Sequence, residues 1–128
     1  MIHYVLGFMF DPTFKQVVLI KKITPVWMLG LFNGVGGKIE PGELPLTAMI
    51  REFTEETGLV HFYWNLSHEE GNNNYHMYIY SAVSVNTYSV RTMTEEEVSI
   101  HTIDDLPINL CPNIMFHIET IRNHKMKE

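Results

Sequence analysis

The stretch GKIEPGELPLTAMIREFTEETGL, running from Gly37 to Leu59, decides how the rest of this chain is read. Its second half is bounded by helix punctuation. Pro45 suits a first helical turn, where its missing N–H costs nothing, and Gly58 stands where a left-handed C-cap is expected. Between them Leu46, Met49, Ile50 and Phe53 follow the i, i+3, i+4, i+7 spacing of one buried stripe. At about 100° per residue, Glu52, Glu55 and Glu56 fall in a separate sector. One face of the predicted helix is therefore apolar, and its neighbour carries concentrated negative charge. Ahead of the helix, Pro41-Gly42 predicts a turn. Further back, LFNGVGGK (Leu31 to Lys38) holds Gly34, Gly36 and Gly37. That composition is poor for a strand interior and predicts a glycine-rich bend whose peptide groups face something close by.

Three glutamates so near one another on a helix repel, and an ordinary surface helix avoids this without compensation. A hard cation supplies it. Magnesium takes oxygen ligands in a near-octahedral shell and keeps room for water and phosphate oxygens. Glu52 and Glu56 are i, i+4 neighbours flanked by Glu55, so their oxygens can converge on one or more ions. Arg51 is one turn from Glu55 and can hold its rotamer, and the preceding bend can add a backbone carbonyl, that of Gly37. Such a site suits the cleavage of a phosphoanhydride. The ions would neutralise phosphate charge, hold the bond in line and orient the attacking water, while a free carboxylate accepts its proton. The plain alternative is a solvated acidic helix face; the glycine bend, Glu43 and Arg51 argue against it.

The segment resembles the Nudix box, GX5EX7REUXEEXGU, at every position. Gly37, Glu43, Arg51, Glu52, Glu55, Glu56 and Gly58 fill the fixed places, and Phe53 and Leu59 the bulky apolar ones. The resemblance implies an α/β (α+β) fold, an α-β-α sandwich whose mixed central sheet lies between helices, with the box as a loop–helix–loop. It implies that Glu52, Glu55 and Glu56 are metal ligands, with Glu52 or a loop glutamate as the base, and that Gly37 lends its carbonyl. Glu43 and Arg51 would brace the loop–helix–loop. A later-loop glutamate often joins such a site; Glu95 or Glu96 would fill that place, against a plain solvated loop over Glu95–Glu97. The implied cofactor is Mg2+, with Mn2+ as a substitute.

The remaining sequence is consistent with one domain over 1–128. The chain has 128 residues, 45% of them hydrophobic, which excludes a disordered chain. No apolar run approaches the roughly 18–20 residues of a membrane span, and the N-terminus reads as a strand, not a signal peptide. Cys111 is the only cysteine, so no internal disulfide forms, and a reducing cytoplasm is expected. A net charge of −6 argues against a nucleic-acid polymer as partner but not against a small phosphorylated ligand. Monomer and homodimer both stay open. Strands are predicted over 2–10, 16–23, 60–66, 75–85 and 98–103, the second able to pair with the first. Residues 24–30 read as a loop with a short extended piece around Trp27. SHEEGNNN (67–74) reads as a polar turn, 87–94 as a connection or edge strand, and 104–107 as a single turn. Pro112 to about Asn123 forms an amphipathic helix bearing Ile114, Ile118 and Ile121, followed by the charged tail HKMKE.

For the substrate, FNGVGGKIEPGE (Phe32 to Glu43) is similar to the MutT-like nucleoside triphosphate pyrophosphohydrolases. The similarity implies that Asn33, before the glycines, and Asn113, near the last helix, read a base edge. An amide offers the donor and acceptor that a purine requires; a turn or cap role is the alternative for each. Lys21 and Lys22 close a predicted strand, and alternation lets one of them meet a phosphate; otherwise they are a solvated pair. Lys38 and Phe32 complete the substrate-side candidates, and Phe8, Met9, Tyr78, Met115 and Phe116 are stacking or core residues. The implied reaction takes a (d)NTP or an oxidised purine dNTP to NMP and pyrophosphate. Tyr75 falls in the range where dinucleoside polyphosphate hydrolases tend to have a tyrosine, in a strand that also holds Tyr78 and Tyr80. Asn74 and Tyr75 stand where ADP-ribose hydrolases tend to have proline. A non-catalytic nucleotide sensor is the alternative of another class, and retention of every box glutamate weighs against it.

Overall fold

In the computed structural model, which describes residues 1–126, the β-branched and aromatic run Ile2–Phe10 forms β1 near the middle of a seven-stranded mixed sheet. On one side β6 (Tyr75–Val83) runs parallel to it, in register from Ile2↔Tyr75 to Phe10↔Val83. β5 (Asn65–Gly71) pairs antiparallel with β6 and forms that edge. On the other side lie β2 (Gln16–Lys21), β3 (Phe32–Asn33), β4 (Val35–Lys38) and β7 (Glu97–Thr102). The path runs β3-β2-β1-β6-β5, with β4 paired to β1 and β7 to β2.

Successive side chains of a strand point to opposite faces, and both faces here are covered. Val5 and Met9 of β1 join Val18, Ile20, Met49 and Phe53 under helix α1 (Pro45–Thr57). Leu6, Phe8 and Phe10 join Leu19, Ile79, Ile114, Ile118 and Ile121 under helix α2 (Ile114–Met126). The result is the helix–sheet–helix sandwich that the resemblance implied. The caps also agree: Pro45 opens α1, and Gly58 closes it at φ 74°, a left-handed value that disfavours residues with a Cβ.

Several expectations need correction. The glycine-rich bend is instead largely strand: Gly36 and Gly37 lie inside β4, opposite Leu6 and Val5. The expected close approach does exist, since a Cβ on Gly36 would sit on the Val5 carbonyl. Gly36→Ala should therefore destabilise the fold toward the upper end of the ~1–3 kcal/mol typical of overpacking, read as a fall in the midpoint of urea unfolding. The second strand stops at Lys21, meets β1 only at Phe10↔Val17, and pairs along its length with β7. Residues 60–64 carry no regular structure, and the strand begins at Asn65, taking in most of the polar stretch expected to turn. β5 is a sheet edge with mostly exposed side chains, so it lacks the apolar alternation that flags a half-buried strand. The turn shrinks to 72–74, where Asn72 Oδ1 accepts from the N–H groups of Asn74 and Tyr75. Val26–Met28, around Trp27, is a 3-10 turn and not extended. Leu46 is 40% exposed, so the buried stripe of α1 is Ala48, Met49, Phe53 and Thr57. His124–Met126 of the tail continue α2, which starts at Ile114 and not Pro112; residues 127 and 128 lie outside the described part. Among the described residues, no helix is long and apolar enough to cross a membrane.

Candidate active site

Arg51 is the node of the box. Its Nε and Nη2 donate to the two oxygens of Glu43 at 2.8 and 2.9 Å, a bidentate pair that straps the loop to the helix. Nη1 donates to Glu52 at 2.9 Å, and Nη2 also reaches the Lys38 carbonyl at 3.1 Å. The anticipated partner one turn away, Glu55, is the weakest of the set at 3.4–3.5 Å. Glu43 also accepts from the Glu40 N–H. The Arg51 hydrogen bonds hold the Glu43 carboxyl below its usual range, against some burial.

Glu52 lies directly beneath β4. A Cβ on Gly37 would stand 2.6 Å from its carboxylate, so a larger residue there would push that side chain out of its present position. Burial pushes the Glu52 carboxyl above its usual range; Arg51 opposes the shift, and the charges of Glu55 and Glu56 add to it. Burial also raises Glu56, countered by a 3.0 Å hydrogen bond from Thr94 Oγ1 and reinforced by the nearby Glu96 charge. Of the two later-loop candidates, Glu95 is exposed. Glu96 accepts from Lys22 Nζ at 2.9 Å and from the backbone N–H of Ile23 and Thr24. Those bonds outweigh its burial and leave it below the usual carboxylate range. It clamps the end of β2 to the loop that leads into β7.

Chemically these groups fit a hard divalent cation. The donors are all oxygen, and the raised Glu52 and Glu56 carry a burden of burial and like charge that a cation relieves. The geometry is not a ready-made cage, because among the described residues no three acidic or imidazole side chains converge on one point. Arg51 holds Glu52, Thr94 holds Glu56, and Glu55 points outward, half exposed. Convergence of the three therefore requires exchange of those partners.

On the α2 face of the sheet a cavity of about 420 Å³ opens beside the box, within the size range of small-molecule sites. Asn33, Asn113, Lys22 and Gly37 all line it. Asn33 Oδ1 accepts from the Gly34 N–H at 2.8 Å, which leaves its NH2 group for other partners. Asn113 takes φ 71° just before α2. Of the lysine pair, Lys22 faces the cavity, while Lys21 sits 5.9 Å from the Phe32 ring centroid. Phe32 itself packs edge-on against His101, and Lys21, Phe32 and Lys38 stand outside the lining. Phe8 and Met9 are fully buried core, Tyr78 packs against the α1-side core, and Met115 and Phe116 are exposed on α2. The sequence reading missed Tyr4, Trp27, Met77, Glu70 and His117 in the lining. Alternation along β1 and β6 could have flagged Tyr4 and Met77; nothing local marks His117.

His117 is 1% exposed, and burial pulls its pKa below the usual 6.5, as it does for His68 and His101. The folded state thus disfavours the imidazolium. Stability should be fully present above about pH 6.5 and decline as pH falls below it, because the unfolded chain binds protons first. Urea midpoints at pH 7.5 and 5.5 check the sign.

A family model for the NUDIX domain matches residues 3–122. The fold is similar to a MutT from work on Aliivibrio salmonicida and Vibrio cholerae, with TM-score 0.80, 22% identity, and 95% of this chain and 98% of that one covered. It is similar to a MutT NUDIX hydrolase from Burkholderia pseudomallei, with TM-score 0.78, 19% identity, and coverage of 93% and 96%. It is also similar to the NUDIX domain of Shewanella oneidensis NrtR, solved with ADP ribose, with TM-score 0.75, 21% identity, and coverage of 96% and 87%. No curated protein matches the sequence. The chain belongs to the NUDIX family, and the fixed residues of the box stand on β4, on α1 and on the loops that flank α1.

Proposed function

We propose that this chain hydrolyses a phosphoanhydride bond of a nucleoside triphosphate, with purine nucleotides, oxidised ones included, as the substrate class and NMP plus pyrophosphate as products. The observation that carries this reading is that the box and the cavity share residues. Gly37 lines the cavity and roofs Glu52, and Lys22 lines it while paired with Glu96 beside Glu56. A nucleoside seated in the cavity would place its phosphates at the carboxylates.

Bound Mg2+, or Mn2+ in its place, would neutralise phosphate charge and acidify the attacking water. Glu52, Glu55 and Glu56 would hold it, with the Gly37 carbonyl and Glu96 at the margin. Glu52 or a glutamate of the later loop, whichever stays off the cation, would accept the proton of the water. Arg51 and Glu43 keep the loop and helix in register, and Lys22 meets phosphate charge. The amides of Asn33 and Asn113 contact the base. The whole of 1–128 acts as one catalytic domain on a small molecule, and the lone buried thiol of Cys111 suits the cytoplasm.

A second reading, ADP-ribose or a dinucleoside polyphosphate as substrate, draws on Tyr75 in the cavity lining and on the ADP ribose bound by the Shewanella domain. Product analysis separates them. With Mg2+, an NTP yields NMP and pyrophosphate, whereas ADP-ribose yields AMP and ribose phosphate. Chelation by EDTA should lower turnover by at least about 10²-fold, restored by Mg2+. Tight nucleotide binding with no metal-dependent turnover would instead identify a sensor.

A further inference from the structure

Strand register sets Glu70, Met77 and Tyr4 in one row across β5, β6 and β1, through the pairs Glu70↔Met77 and Tyr4↔Met77. All three line the cavity, and Glu70 is the one carboxylate among its described lining residues. His117 of α2 closes over this end. Its Nε2 lies 3.4 Å from Glu70 Oε1, and its Nδ1 lies 2.8 Å from His68 Nε2. The other nitrogen of His68, Nδ1, is 3.0 Å from Ser67 Oγ.

The carboxylate settles the tautomers. Two neutral imidazoles that share one hydrogen bond can order it either way. If His117 donated from Nδ1, its Nε2 lone pair would face the Glu70 anion. If His68 donates from Nε2, His117 presents Nε2–H to Glu70, and Ser67 O–H donates to His68 Nδ1. The second arrangement is attractive at every link, and burial of both imidazoles favours the neutral forms it needs. A single N–H contact leaves a carboxylate with spare acceptor capacity. Glu70 is 30% exposed, so that capacity is open to a ligand.

We propose that Glu70, oriented by the His117–His68–Ser67 chain, is a specificity-determining acceptor that selects a base edge carrying two adjacent N–H donors. This rests on the nucleotide reading above and adds which edge is read. Two carboxylate oxygens match the N1–H and exocyclic N2–H2 of a guanine-type base in parallel. Adenine and cytosine turn a ring-nitrogen lone pair toward the anion, and thymine flanks its single N–H with carbonyls. Hypoxanthine keeps N1–H but lacks the amino group. Oxidation at C8 leaves this edge unchanged, so Glu70 reads the base and not the lesion.

Titration calorimetry with GMP, IMP and AMP on the full chain, without added metal, tests this independently of catalysis. The wild type should bind GMP about tenfold or more tighter than IMP, and AMP more weakly still. In Glu70→Gln the GMP/IMP ratio should collapse to about twofold or less, because one oxygen becomes a competing donor. Equal GMP and IMP affinity in the wild type, or an unchanged ratio in the variant, overturns the assignment. If Glu70→Gln does not fold, Glu70→Asp, which withdraws the carboxylate, is read in the same way. For His117 as a positioning residue, His117→Asn should keep more of the GMP preference than His117→Leu; equal loss reduces His117 to packing. GTP hydrolysis with Mg2+ is assayed separately. A GMP preference without turnover overturns the hydrolase reading alone, and turnover without base preference overturns this one alone.

Discussion

Glu56→Gln should lower kcat by about 10²–10⁴-fold and yet leave the metal-free protein as stable as the wild type, or slightly more so. The two effects share one cause. Burial and the nearby negative charge of Glu96 push the Glu56 carboxyl above its usual range, so ionised Glu56 is less comfortable in the folded chain than in the unfolded one. An acid raised in this way costs stability at neutral pH. The penalty is fully present above the folded pKa, shrinks as pH falls, and is gone below the ordinary value of 4.5, where the group is protonated in both states. Glutamine removes the charge, keeps the shape and can still accept from Thr94 Oγ1. It cannot supply the anionic oxygen that a cation requires. Thermal melts near pH 7 should therefore show no fall for Glu56→Gln, while Mg2+ raises the wild-type midpoint and moves the variant less. A drop of several degrees alongside the lost activity would mean that Glu56 holds the fold rather than the reaction.

The box is legible in the sequence, and the cavity only in part. The box glutamates sit at helical spacing, so chain geometry alone gathers them on one sector of α1, and the punctuation by Pro45 and Gly58 fixes the ends. β1 announces itself by its density of β-branched and aromatic residues together, and α2 by Ile114, Ile118 and Ile121. β5 does not, because an exposed edge strand has no apolar face to betray it. β4 looks like a bend in the sequence because its glycines answer to what lies across from them, the Val5 carbonyl and the Glu52 carboxylate, both distant in sequence. Asn33 and Asn113 do both reach the cavity, whereas Lys21, Lys38 and Phe32 do not. Lys22 faces it because β2 ends one residue earlier, and Glu96 from the far loop then fixes the side chain. Glu70 and His117 meet only through the docking of α2 on the sheet, and local pattern carries no trace of such a contact.

Arg51→Ala should fail in the opposite way to Glu56→Gln, losing stability and activity together. The guanidinium satisfies both oxygens of Glu43, one oxygen of Glu52 and the Lys38 carbonyl, and its removal leaves two carboxylates that are each less than 15% exposed. Breaking a fully buried pair from one side costs about 3–5 kcal/mol. Arg51 is 23% exposed, so water recovers part of this, and about 2–3 kcal/mol is expected. Activity should fall by about 10²-fold, since the loop carrying Gly37 through Glu43 loses its strap and Glu52 its orientation. Arg51→Lys keeps the charge but not the fork, and should recover less than half of the stability. Glu43 supplies a pH signature. Its carboxyl is held low chiefly by Arg51, so wild-type stability from this pair is present above about 4.5 and lost as pH falls below it. In Arg51→Ala that acid-side slope should flatten. The decisive measurement is a double-mutant cycle with Glu43→Ala. Once one partner is gone, deleting the other should cost much less, and the double variant should fall short of the sum of the singles by about 1 kcal/mol or more. Additivity within about 0.3 kcal/mol would mean that the two side chains, for all their bidentate geometry, act on the fold separately.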